Sequence, residues 1–128
     1  MYQNLQLFRT AQALAAHAGT RQAVVSANIA NADTPGYRAR TVAPFSAAVA
    51  QAGGGSAPRA TRAGHLIGAT SGLPVRIAAD DAAPASPNGN SVTIELEMLK
   101  AVEAKRAHDR ALAVYRHAMG VLRTSLGR

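Results

Sequence analysis

Helical periodicity runs from about Leu5 into the stretch Asn28-Ile29-Ala30-Asn31-Ala32-Asp33-Thr34-Pro35-Gly36-Tyr37-Arg38-Ala39-Arg40, and there it stops. Pro35 has no amide hydrogen to donate and pushes Thr34 out of the helical region, so no helix continues through this point. Pro35 and Gly36 suit the two central positions of a type II turn, with the glycine taking the positive φ. Asn28 and Asn31 share one helical face, where their side chains can bond carbonyls stranded at a helix end. Any fold of this chain must therefore accommodate a helix that ends abruptly at a shaped junction.

Ahead of the junction, Leu7, Ala11, Leu14, Ala18, Arg21, Val25 and Asn28 recur in steps of four and three, the spacing of a seam against another helix. Phe8, Ala15 and Val24 broaden the stripe. Gly19 weakens the middle by roughly 1 kcal/mol relative to alanine without ending the helix. A helix of roughly 25 residues is about 38 Å long and marginal alone in water. It needs a partner, and the C-terminus offers one. Met98, Ala101, Lys105, His108, Leu112, Tyr115, Met119, Leu122 and Leu126 step in the same way. Glu95, Glu97 and Glu103 sit early and Arg116 and Arg123 late, as the helix macrodipole favours. Asn88-Gly89-Asn90-Ser91 reads as a turn leading to the N-cap of this second helix.

Turn formers crowd the region between. Phe45 to Val49 fits one short helical turn, and Gln51-Ala52-Gly53-Gly54-Gly55-Ser56 has the composition of a flexible linker. Leu66-Ile67 and Val75-Arg76-Ile77 are the candidate strands, both short. The expected fold is mainly α: long N- and C-terminal helices, joined by a loop-rich middle with at most short strands. As one domain over residues 1–128, it divides into an N-terminal helix (1–32), an irregular middle (33–90) and a C-terminal helix (91–128).

Composition narrows the function classes. Much of the 48% hydrophobic content is alanine, which buries little area per residue and suits helix-helix seams better than a thick core. With no cysteine, disulfides, zinc-thiolate sites and thiol catalysis are all excluded. The net charge of +7 permits binding to nucleic acid, and a small basic nucleic-acid-binding protein is the alternative from a different class. The arginines and lysines are scattered, however, and no aromatic interleaving turns them into a recognition surface. The expected partners accordingly include no nucleic acid. No apolar run is long enough to span a bilayer, and the N-terminus lacks the pattern of a cleaved signal peptide.

No constellation of residues points to an enzyme. His17, His65, His108 and His117 form no metal-binding pair, and the glycine run lacks the Gly-Lys-Ser/Thr of a phosphate loop. Ser26 and Ser71 sit in no nucleophile elbow. Glu95 and Glu97, two apart on a helix, point away from each other and make a poor acid-base pair. No cofactor, metal or small-molecule substrate is expected. Asn31 reads as a capping group, and Asn28, on the seam track, as a register-setting polar residue.

The stretch from Asn28 to Arg40 resembles the N-terminal signature of flagellar rod, hook and related axial proteins. Gly89-Asn90-Ser91-Val92 and Glu97-Met98 are similar to the second segment of that signature, although Thr93 stands where an acidic residue is usual. Gly64-His65-Leu66 extends the likeness into the middle. The small size and uninterrupted Thr-Pro-Gly-Tyr most resemble a proximal rod subunit, with a sibling rod subunit of the FlgC type second. The resemblance implies terminal helices packed as a coiled-coil layer in a hollow helical tube. It implies a structural subunit of the basal-body rod in the periplasmic space, transmitting torque from the membrane ring to the distal rod and hook for motility. The implied partners are other copies of the chain, other rod subunits, a membrane-ring/rod adaptor protein and the flagellar type III export apparatus, with export needing no cleaved signal peptide. Residue by residue, Asn28, Asn31, Thr34, Pro35, Gly36 and Tyr37 would shape the junction. Leu7, Leu14, Val25, Leu112, Tyr115, Met119 and Leu122 would pack subunits, and Phe45 with Val49 would match the export-gate motif.

Overall fold

The computed structural model describes residues 2–54, 62, 73 and 75–127, with the side chains of 2–5 and 52–54 excepted. Helix α1 spans Tyr2–Ala30 and helix α3 spans Ile94–Ser125. Between them lie strand β1 (Arg40–Val42), helix α2 (Phe45–Gly54) and strand β2 (Ile77–Ala79). At 1.5 Å per residue the long helices extend about 43 and 48 Å. The chain is thus mainly helical, with its two terminal helices packed together and a loop-rich middle carrying two short strands.

The long helices run antiparallel. Phe8 meets Tyr115 edge-on with ring centroids 5.2 Å apart, Arg21 pairs with Glu103 at 3.4 Å, and Asn28 bonds Glu97. Partners on α3 therefore fall in number as α1 advances. On α1 the buried residues Ala11, Ala18, Val25 and Asn28 follow the expected seam. On α3 the buried positions are Glu97, Ala104, Ala111 and Ala118, spaced seven apart. These lie one residue before the expected Met98, Lys105, Leu112 and Met119. The sequence reading gave the seam to the large side chains, whereas close helix approach gives it to the alanines. Met98 is instead 61% exposed, and Leu112 and Met119 lie half-buried at the margin.

The middle departs from expectation in three ways. The single turn at Phe45 is a helix of ten residues, so the first four residues of the expected linker belong to α2. The single carbonyl of Pro44 at its entry accepts the amides of both Ala47 and Ala48, and the alanines that follow are strong helix formers. Of the two candidate strands, only the second falls in the described part, and it is shifted to Ile77–Ala79; Leu66-Ile67 lies outside the described residues, as do Gly55-Ser56 and Gly64-His65-Leu66. The partner strand, which no local signal predicts, is β1. It pairs antiparallel with β2 in the register Arg40↔Ala79, Thr41↔Ala78 and Val42↔Ile77. Third, α3 begins at Ile94, three residues after the expected start at 91; the turn at Asn88-Gly89 leads to the N-cap Thr93, whose side chain makes no capping hydrogen bond.

Among the described residues no helix is long and apolar enough to cross a membrane.

Candidate functional site: the polar junction

Most of the described side-chain hydrogen bonds that tie distant parts of the chain together converge where α1 ends. The turn Thr34-Pro35-Gly36-Tyr37 is closed by the Tyr37 amide on the Thr34 carbonyl at 3.2 Å, with Gly36 at φ 72°. Asn31 Nδ2 donates to the Ala27 carbonyl at 2.8 Å, and its Oδ1 accepts the Thr34 hydroxyl. Helix α1 carries no basic residue in its last turn. Other donors must therefore meet the carbonyls at its negative end.

Asn90 supplies them. Its side chain is buried, and Nδ2 lies 2.9, 2.7 and 2.8 Å from the carbonyls of Asn31, Ala32 and Thr34, so two hydrogens serve three acceptors. Oδ1 of the same residue accepts the Val92 amide at 2.7 Å, which fixes the amide orientation. The turn that follows the first helix is thus tied down from the far side of the chain. Gly89 allows the approach: it has φ 80°, and a Cβ there would lie 3.3 Å from Gly36 Cα. The Gly36 amide donates to the Asn88 carbonyl, and the Ser91 amide to the Tyr37 carbonyl. Ser91 Oγ accepts the buried Ala39 amide at 2.9 Å.

Asn28 is wholly buried, and every hydrogen-bonding position of its amide is used. Nδ2 donates to the Arg40 carbonyl at 2.8 Å and to Glu97 Oε2 at 2.9 Å. Oδ1 accepts the Arg40 amide at 3.0 Å and the Tyr37 hydroxyl at 3.3 Å. The side chain therefore pairs with Arg40 as a neighbouring strand would, while also gripping α3. Its grip there is Glu97, 1% exposed, whose other oxygen accepts Lys100 Nζ at 2.7 Å. Lys100 also reaches Asp80, just beyond β2, at 3.5 Å. Burial alone would lower the Lys100 pKa, but hydrogen bonding and charge from Glu97, helped by Asp80, hold it above the usual lysine value.

The six junction residues named from sequence all lie at this one site. Leu7 and Tyr115 are exposed on the helix pair, Leu14, Leu112, Met119 and Leu122 are half-buried, and Val25 is covered within the chain by the helix seam. Phe45 is half-buried and Val49 exposed on α2. The sequence reading did not find the roles of Gly89, Asn90, Ser91 and Glu97 at the junction. One signal was present: a helix terminus without a basic residue in its last turn needs donors from elsewhere, and a Gly-Asn pair can supply them. The site holds no exposed nucleophile beside a base. Among the described residues, no group of His, Asp and Glu is placed to hold a metal ion. Its hydrogen bonds are spent within the chain, joining α1, the turn, β1 and α3 into one unit.

Comparison with known proteins meets this same region. The profile described as "Flagella basal body rod protein" matches residues 8–38, which cover most of α1 and the turn. The "Flagellar basal body rod protein FlgB" of Agrobacterium fabrum is 37% identical over 112 residues, covering 84% of this chain and 82% of that protein. A protein of the same description from Cereibacter sphaeroides is 35% identical over 109 residues, covering 84% and 83%.

Proposed function

The chain belongs to the flagellar basal-body rod protein family, whose members are structural, and from that premise we propose that it is a subunit of the proximal rod. It passes torque from the membrane ring to the distal rod and hook and is needed for motility. Its work is mechanical and not catalytic. Its neighbours are copies of itself, other rod subunits and the adaptor that joins rod to membrane ring. It acts as one rod-type domain over residues 1–128 and reaches the periplasmic space through the flagellar type III apparatus without losing a signal peptide.

One observation supports the mechanical reading above the others: the junction ties both terminal helices to the β ribbon through buried, fully bonded groups. Asn28, Asn31, Thr34, Pro35, Gly36 and Tyr37 hold the angle at which the helix pair meets the middle of the chain. A load-bearing lattice needs that angle fixed, because head-to-tail contacts propagate any error along the filament. Leu7, Leu14, Leu112, Tyr115, Met119 and Leu122 lie on the outside or margin of the helix pair and serve contacts between subunits. Val25 contributes by holding the pair together from within.

The test is genetic and structural. Deleting the gene abolishes swimming and leaves isolated basal bodies without a rod, and the wild-type gene restores both. Basal bodies with a complete rod in the deletion strain would overturn the proposal. Within the export reading, Phe45→Ala lowers secretion while synthesis is unchanged; unaltered secretion would remove Phe45 and Val49 from that role.

A further inference from the structure

Helix α2 is fastened to the rest of the molecule at its first turn, and one histidine does the fastening. His17, on α1, is 3% exposed, and its Nε2 lies 2.8 Å from the Ala43 carbonyl. A carbonyl oxygen only accepts, so this ring nitrogen carries the proton. The same ring meets Phe45 edge-on, with centroids 5.5 Å apart at 71°. The acceptor is itself held in place, because the Ala43 amide donates to the Arg76 carbonyl at 3.1 Å beside the β ribbon. Past this point α2 has little to hold it. Among the described side chains of α2 only Ala48 is fully buried, and none makes a hydrogen bond or ion pair to another element. Val49, one turn after Phe45, is 45% exposed.

From this arrangement we infer that His17 is a latch that decides whether the Phe45 face of α2 can be docked upon. Closed, the imidazole packs edge-on with the Phe45 ring and pins the entry to the helix. Open, α2 detaches as a unit and presents Phe45 and Val49 together, four residues apart on one face. What the freed face is for rests on the export reading above; the latch itself does not. It has the form of an autoinhibitory contact, with the folded chain holding a half-buried residue that the loosened chain offers fully.

Hydrogen exchange on the full chain tests it, comparing wild type with His17→Ala and His17→Gln. Losing one hydrogen bond and one aromatic contact should speed exchange of the α2 amides by about ten- to a hundredfold. The α1–α3 seam around Ala104 and Ala111 should change far less. His17→Gln keeps a donor but loses the ring and should fall between. Wild-type α2 amides exchanging as fast as an unfolded chain, no change in His17→Ala, or equal acceleration everywhere would each overturn the latch. Secretion from cells provides the second arm: His17→Ala raises it, and adding Phe45→Ala cancels the gain. Should secretion ignore Phe45 in both backgrounds, the export reading fails while the exchange result still decides the latch.

Discussion

Asn28 places two donors and two acceptors against four fixed partners at zero exposure, so no other side chain fits its site. Asn28→Asp is the most informative substitution, because it changes no volume. It replaces a donor with an acceptor facing both Glu97 and the Arg40 carbonyl. A buried group losing its partners typically costs about 1–3 kcal/mol, and more when charge is involved. We expect Asn28→Asp to lower the urea midpoint more than Asn28→Ala, although alanine removes more atoms. The reverse order would mean that packing matters here more than hydrogen bonding. The two glycines make a second graded pair. Both have positive φ, but only a Cβ at Gly89 meets backbone within 4 Å. Gly36→Ala should therefore cost about 1 kcal/mol of strain and Gly89→Ala clearly more, read from the same denaturation curves. At this scale the sequence was legible where the cause is local, as at Pro35, Gly36 and Asn31. It was silent on the bonds from Asn90 and Glu97 to the end of α1 and its turn, which span more than fifty residues and become visible only when the helices pair.

Between residue and element sits Lys100, which joins α3 to the segment after β2. Its pKa is raised in the fold, so the stability it adds is fully present below the unfolded value near 10.5 and is lost as pH rises through the folded one. The stability gap between wild type and Lys100→Met should be constant from neutral pH to about 10 and then shrink in more alkaline buffer. A gap that persists unchanged there would mean that the lysine acts through its packed methylenes instead. On the helix pair, the seam alanines Ala104 and Ala111 admit no side chain larger than a methyl without moving α1 outward. Ala111→Leu should cost about 1–3 kcal/mol by overpacking, despite raising hydrophobicity. This also explains why periodicity gave the right helices but the wrong phase for α3. Large apolar residues and small ones occupy adjacent stripes, and a pattern read by size selects the stripe at the margin. The extra turns of α2 were hidden for a related reason, since glycines at a helix end read as linker. The register of β1 with β2 could not be read from three residues of strand.

At the scale of the whole molecule, the described residues bury nine apolar side chains, seven of them alanine, and leave thirteen large apolar ones exposed. Met98, Leu99 and Val102 all face away from the α1 seam at 61%, 57% and 47% exposure. An inventory so inverted cannot give a solitary chain much stability, because alanine burial removes little area from water. Neighbouring subunits in a rod would cover what the chain leaves bare, and folding would then be linked to assembly by mass action. The purified chain should accordingly gain helical circular dichroism with concentration, and its melting temperature should rise as it associates. Replacing Met98 and Leu99 with serine should suppress both effects and reduce incorporation into rods, while the Asn28–Glu97 junction, on the buried stripe of α3, stays intact. A sharp melting transition of a fully helical monomer at every concentration would break the link. The inverted surface would then need another explanation, and the terminal helices would have to be stable through the alanine seam and the junction alone.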